Sequence, residues 1–82
     1  MKKIKEEIEK TKYNQKFELL GYFLKEIRYQ LILTQTEVCE AIGIHVNTLS
    51  KIENGNNFTM HIFYLLCAYY QVKPSELIAL IE

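Results

Sequence analysis

The sequence predicts an all-α fold, and three observations carry that expectation. Among 82 residues there are one proline and three glycines, so few positions interrupt a helix. Apolar residues recur at three- and four-residue spacing through most of the chain. No stretch alternates β-branched and polar residues for long enough to make a strand. Five core helices are expected near 17–31, 35–42, 46–54, 59–70 and 75–81, with a leading helix over 2–15. The chain thus divides into a charged N-terminal helix or arm, 1–16, and a compact five-helix domain, 17–82.

The leading segment places Ile4 and Ile8 on one face and surrounds them with charge. Lys2/Glu6, Lys3/Glu7, Lys5/Glu9 and Glu6/Lys10 are pairs at four-residue spacing, each stabilising a helix by a few tenths of a kcal/mol. Its apolar stripe is thin, so the segment reads first as a solvated helix. A basic arm against phosphate and an added dimer contact are the alternatives.

The first core helix carries Phe17, Leu20, Leu24, Ile27 and Leu31 at helical spacing, a stripe expected in the core. The second opens on Thr34 with Glu37 three residues later, the pattern of a capping box. The third lies between Gly43 and Gly55, each suited to a left-handed turn. Thr59 can cap the fourth, whose apolar stripe is Met60, Phe63, Leu66, Cys67 and Tyr70. Pro74 fits the first turn of the fifth. That helix presents Leu77, Ile78, Leu80 and Ile81, more apolar surface than one core face needs. The excess points to a dimer interface with a second copy.

The stretch 34–55 carries the functional signal. Counting from Gln35 as position one, Val38, Ile42, Ile44, Leu49 and Ile52 stand at positions four, eight, ten, fifteen and eighteen. Cys39 is the small residue at position five and Gly43 the turn at position nine. Two short helices buried along one stripe and joined by a left-handed turn make a helix-turn-helix. With Leu49 and Ile52 inward, Val46, Asn47, Ser50 and Lys51 face outward, with Thr48 beside them. Asn can pair with adenine, Lys can donate to guanine, and Val can pack on a thymine methyl.

The same residues resemble the lambda-repressor-like, Cro/C1-type (XRE-type) helix-turn-helix family. The likeness runs from Leu20-Gly21-Tyr22-Phe23-Leu24-Lys25-Glu26-Ile27-Arg28 through Leu33-Thr34-Gln35 and Gly43-Ile44. It continues in Leu49-Ser50-Lys51-Ile52-Glu53-Asn54-Gly55, Thr59 and Val72-Lys73-Pro74-Ser75-Glu76-Leu77, covering roughly residues 17–82. The resemblance implies a DNA-binding domain that puts the helix over 46–54 into the major groove. It implies base contacts from Val46, Asn47, Ser50 and Lys51, and phosphate contacts from Gln35, Thr48 and Asn54. It implies a structural ion pair between Arg28 and Glu53. Four positions depart from the family pattern: Ile32 replaces a glycine, His45 replaces a Ser or Thr cap, and Val46 and Phe23 stand where relatives carry Arg or Lys.

Composition bounds the rest. No apolar run approaches a membrane span, and Met1–Lys10 has no signal-peptide core, so a cytoplasmic location is expected. Cys39 and Cys67 lack thiol neighbours at ligand spacing and read as small buried hydrophobes. His45 and His61 form no metal pattern, and no nucleophile–base pair, carboxylate dyad or phosphate-binding glycine loop is present. No metal, cofactor, small-molecule ligand or enzymatic activity is expected. Net charge is zero: residues 1–16 carry six Lys and three Glu, whereas 17–82 carry four cations and seven Glu. Phosphate contacts supply most non-specific affinity, so a weak electrostatic grip is expected.

These readings converge on a small homodimeric regulator, a repressor of a short inverted repeat in double-stranded DNA. A restriction–modification controller, a phage or mobile-element repressor and an antitoxin all fit. The alternative is an interaction module that binds a regulatory protein or toxin and has little DNA affinity, which the acidic 17–82 region favours.

Overall fold

The computed structural model describes the backbone of residues 2–82 and the side chains of residues 15–82. Its elements are α1 (Lys2–Gln30), α2 (Gln35–Ile42), α3 (Val46–Glu53), α4 (Met60–Tyr70) and α5 (Pro74–Ile81). The leading helix and the first core helix are one uninterrupted element of 29 residues. Gln15-Lys16-Phe17 contains neither proline nor glycine, so nothing at the expected junction stops the helix. The roles expected of side chains in 1–14 lie outside the described residues.

The first four helices end in the same way. A residue in the left-handed region closes each, and the amide beyond it bonds back to a carbonyl five residues earlier. In α1 the amide of Leu33 donates to the Arg28 carbonyl at 3.1 Å. Ile44 donates to Cys39 at 3.2 Å, Asn56 to Lys51 at 3.0 Å and Val72 to Cys67 at 3.0 Å. Gly43 and Gly55 supply two of the left-handed residues without a Cβ penalty. The other two are Ile32 and Gln71, both at φ 57°. Ile32 is β-branched and 88% exposed, so no burial offsets its backbone strain.

One core joins the five elements. Leu20 and Leu24 of α1, Val38 and Cys39 of α2, and Leu49 and Ile52 of α3 are buried in it. Phe63, Leu66, Cys67 and Tyr70 of α4 and Leu77 of α5 complete it. At Gly21 the α1 backbone lies against the Ile52 carbonyl so closely that a Cβ would collide with it. The α3–α4 loop folds back onto α1, where Phe58 meets Phe17 edge-on at 5.2 Å between ring centroids.

Three expected core and interface assignments need correction. Leu31 is exposed, because it follows the last residue of α1 where the chain turns away. Met60 is exposed because it opens α4 before that helix reaches the core. Leu77, assigned to a dimer face, is buried in the protein's own core, and Ile78 and Ile81 pack partly against it. Of the four apolar residues, Leu80 alone is fully turned to solvent.

Burial pushes the pKa of both free thiols, Cys39 and Cys67, above the ordinary thiol value and so keeps them protonated. No helix among the described residues is long and apolar enough to cross a membrane.

Candidate nucleic-acid interface

Two capping interactions set the start of α2. The Thr34 hydroxyl accepts from the Glu37 amide at 3.1 Å, and the Glu37 carboxylate accepts from the Thr34 amide at 3.2 Å. After eight residues Gly43 reverses the chain, and α3 begins at Val46. Leu49 and Ile52 have essentially no exposed surface, which fixes the rotation of α3 about its axis. Val46, Asn47, Lys51 and Asn54 are therefore exposed, and Thr48 and Ser50 are half-buried beside them.

The acidic residue of α3 is withdrawn from that face. Glu53 is buried and accepts two hydrogen bonds from Arg28 of α1, from Nε at 2.7 Å and from Nη2 at 2.8 Å. Nη1 of Arg28 donates to the Leu33 carbonyl at 2.8 Å, which holds the turn after Ile32. The Glu53 hydrogen bonds raise the ionisation of the guanidinium further, against the opposing effect of burial. Arg28 also lies over the Tyr29 ring at 4.7 Å.

Gln35 joins the same cluster. Its side-chain amide donates to Glu53 Oε1 at 2.9 Å and so braces α2 against α3. That bond commits the Gln35 side-chain donor to the protein interior. Of the first-turn amides of α2, that of Glu37 is taken by the Thr34 cap, and those of Gln35 and Thr36 precede any carbonyl the helix could offer them.

A cleft runs along the other edge of α3. Thr48 and Lys51 form one wall, and Asn56, Asn57, Phe58 and Thr59 bring the start of α4 to the other. Asn56 is anchored by donating to the Lys51 carbonyl at 3.0 Å. Thr59 caps α4 by accepting from the Ile62 amide at 3.3 Å. Asn56 and Asn57 fall between the helices expected over 46–54 and 59–70, where spacing alone assigns them no contact. Their signal is the run Asn54-Gly55-Asn56-Asn57 following the outward helix.

The geometry is that of a short helix pair with its second helix presented to solvent on one polar face. A helix-turn-helix family model matches residues 24–77, which is more than half of the chain. The protein belongs to the Cro/C1-type (XRE) helix-turn-helix family. No match was found among curated proteins or among solved structures.

The family is one of DNA-binding transcription regulators and is generally non-enzymatic. In this Cro/C1-type domain the structure brings Val46, Asn47, Ser50, Lys51, Thr48 and Asn54 into one surface along α3. Gln35 adjoins it through Glu53. Leu77, Ile78, Leu80 and Ile81 lie elsewhere: α5 packs on α1 and α4 and touches neither α2 nor α3. His45 occupies the cap position of α3, is exposed, and makes no capping hydrogen bond.

Proposed function

We propose that this helix-turn-helix domain is a homodimeric, sequence-specific repressor that reads a short inverted repeat with α3 in the major groove. One observation carries the reading. The only carboxylate of α3, Glu53, is buried against Arg28, so the exposed face of the helix presents Val46, Asn47, Ser50 and Lys51 without an anion. Asn47 offers a donor and an acceptor to adenine, Lys51 a donor to guanine, and Val46 a methyl contact to thymine. Gln35, Thr48 and Asn54 flank these and meet phosphate, Gln35 through the amides of the α2 first turn.

Two such helices related by a twofold axis would enter successive major grooves about 34 Å apart. The exposed Leu80, with the outer edges of Ile78 and Ile81, supplies apolar surface for a partner copy. The protein acts where its DNA lies, in the cytoplasm.

A second reading is supported by charge and surface. Residues 17–82 carry seven Glu against four cations, and α4 exposes Met60, Tyr64 and Tyr69 without one charged residue in the helix. Such a domain would bind another regulator or a toxin rather than DNA.

Selection of bound duplexes from a random library, at low and then physiological salt, separates the two. The repressor reading expects one inverted repeat to be enriched, with affinity falling steeply as salt rises. Absence of enrichment at both salt concentrations transfers the function to the interaction module.

A further inference from the structure

We propose that the α1–α2 turn, with Ile32 at its tip, is a contact between copies of this chain bound at neighbouring DNA sites. The inference rests on the DNA-binding reading above and adds a second working surface to it.

The first observation is strain. Of the four left-handed residues that close the first four helices, Gly43 and Gly55 carry no Cβ, and Gln71 is unbranched and polar. Ile32 is the β-branched one, held at φ 57° and almost wholly exposed. Three hydrogen bonds fix it there. The Ile32 amide donates to the Tyr29 carbonyl at 3.0 Å, and the Leu33 amide to the Arg28 carbonyl at 3.1 Å. Arg28 Nη1 donates to the Leu33 carbonyl at 2.8 Å. A strained side chain that buries nothing in its own domain is accounted for by a contact outside it.

The second observation is the surface around Ile32. Tyr29 and Leu31 are also exposed, so three large apolar side chains project within four positions. A groove lies beside them, lined by Arg28, Tyr29, Ile32, Leu33, Thr34 and Gln35. Knob and groove therefore belong to one rigid turn.

Charge selects the occupant. Arg28 is bound to Glu53, Lys25 lies over the Tyr29 ring at 5.7 Å, and the Glu37 carboxylate is engaged by the Thr34 cap. These charges are engaged within the domain, so the turn offers little to attract an oppositely charged partner or to repel a second copy. About a twofold axis, Ile32 of one copy enters the groove of the other and no like charges are brought together. Phosphate does not suit three apolar side chains.

Position and size say where the contact acts. The α5 surface is separate, because α5 does not touch α2, into which the turn leads. Gln35, the next residue, bonds Glu53 at the end of α3, so the turn stands at the edge of the DNA-facing helix. Three side chains fall far short of the roughly 800 Å² per partner of a stable free interface. Such a contact holds where DNA brings copies to a local concentration on the order of millimolar.

The test uses duplexes with one copy of the selected repeat, and with two copies whose spacer is varied over one helical turn, about 10 base pairs. At one spacing the wild type should fill the second site about tenfold more tightly than the first, within the usual range of coupling. Ile32→Gly and Ile32→Asn should bind the single site as the wild type does and lose the tenfold gain. Ile32→Gly should also melt at a higher temperature, which separates loss of contact from loss of fold. Tyr64→Ser removes an exposed aromatic ring from α4 and should keep the gain. Independent filling at every spacing overturns the pairing and leaves the turn to a different protein, with the repressor reading intact. A gain that survives both Ile32 variants overturns it too. Failure to select any duplex overturns both readings.

Discussion

Arg28 and Glu53 meet through two hydrogen bonds of 2.7 and 2.8 Å, although 25 residues separate them in the chain. Their side chains are 8% and 3% exposed, so the pair is almost wholly removed from water. It joins α1 to the last residue of α3, and through Leu33 and Gln35 it also holds the α1–α2 turn and the start of α2. Together with the burial of Leu49 and Ile52, this cluster holds the outward face of α3 in place.

Glu53→Ala should therefore destabilise the fold by about 3–5 kcal/mol, because the buried guanidinium loses its counter-charge. Urea denaturation measures it. A loss below about 1 kcal/mol would mean that water reaches Arg28 and the pair is not structurally decisive.

Ile32→Gly should act in the opposite direction. It relieves a left-handed β-branched residue whose side chain is 88% exposed and makes up nothing by burial. The expected gain is about 1 kcal/mol. For a domain of this size that raises the melting temperature by about 4–8 °C in a thermal scan. An unchanged or lower value would show that Ile32 makes a contact worth more than its strain.

Asn47→Ala should weaken specific binding by about 1–3 kcal/mol and relax preference at one base position. Repeating the duplex selection with the variant reads both effects. If affinity and preferred sequence survive unchanged, α3 is not seated with Asn47 toward the bases.

The two leucines of α5 should separate folding from assembly. Leu80→Glu places a charge on an exposed position and should yield a folded monomer by sedimentation. Leu77→Ala opens the core and should cost about 2–5 kcal/mol whatever the oligomeric state. A Leu80→Glu protein that sediments as the wild type does would remove α5 from the dimer contact.

Alkaline stability gives a further check. Burial, the largest cause, pushes the pKa of Tyr70, Cys39 and Cys67 above the ordinary phenol and thiol values in the folded state. Each stays neutral when folded at a pH where the unfolded chain ionises it. Their contribution is thus complete at neutral pH and is lost as pH rises beyond the ordinary thiol and phenol range, above about pH 8.5. The Tyr70 hydroxyl also has no hydrogen-bond partner among the described residues. Tyr70→Phe should leave stability at pH 7 unchanged or slightly higher, and should flatten the alkaline decline. Denaturation midpoints from pH 7 to about pH 10.5 test this, and a large loss at pH 7 would contradict it.

Interactions confined to a few neighbouring residues were legible in the sequence. Thr34 with Glu37, the turns at Gly43 and Gly55, the Thr59 cap and Pro74 act over at most four positions, and they set where α2 to α5 begin and end. The buried stripe of Leu24, Leu49, Ile52 and Leu66 follows from helical periodicity and from the exclusion of apolar surface from water. The all-α fold and its family follow from these alone.

Tertiary contact decided what periodicity leaves open. Sequence spacing assigns Leu77 and Leu80 equally to an apolar surface, and packing against α1 and α4 buries one and exposes the other. Gln35 carries a free donor until α3 brings Glu53 within 2.9 Å, across 18 residues of chain. Ile32 stays left-handed because Arg28 and the returning chain hold the turn, although its own preference lies elsewhere. Caps and stripes are local because a helix repeats every few residues. The charge and hydrogen-bond geometry around the outward face of α3 is not, because its partners come from three helices that meet only in the folded chain.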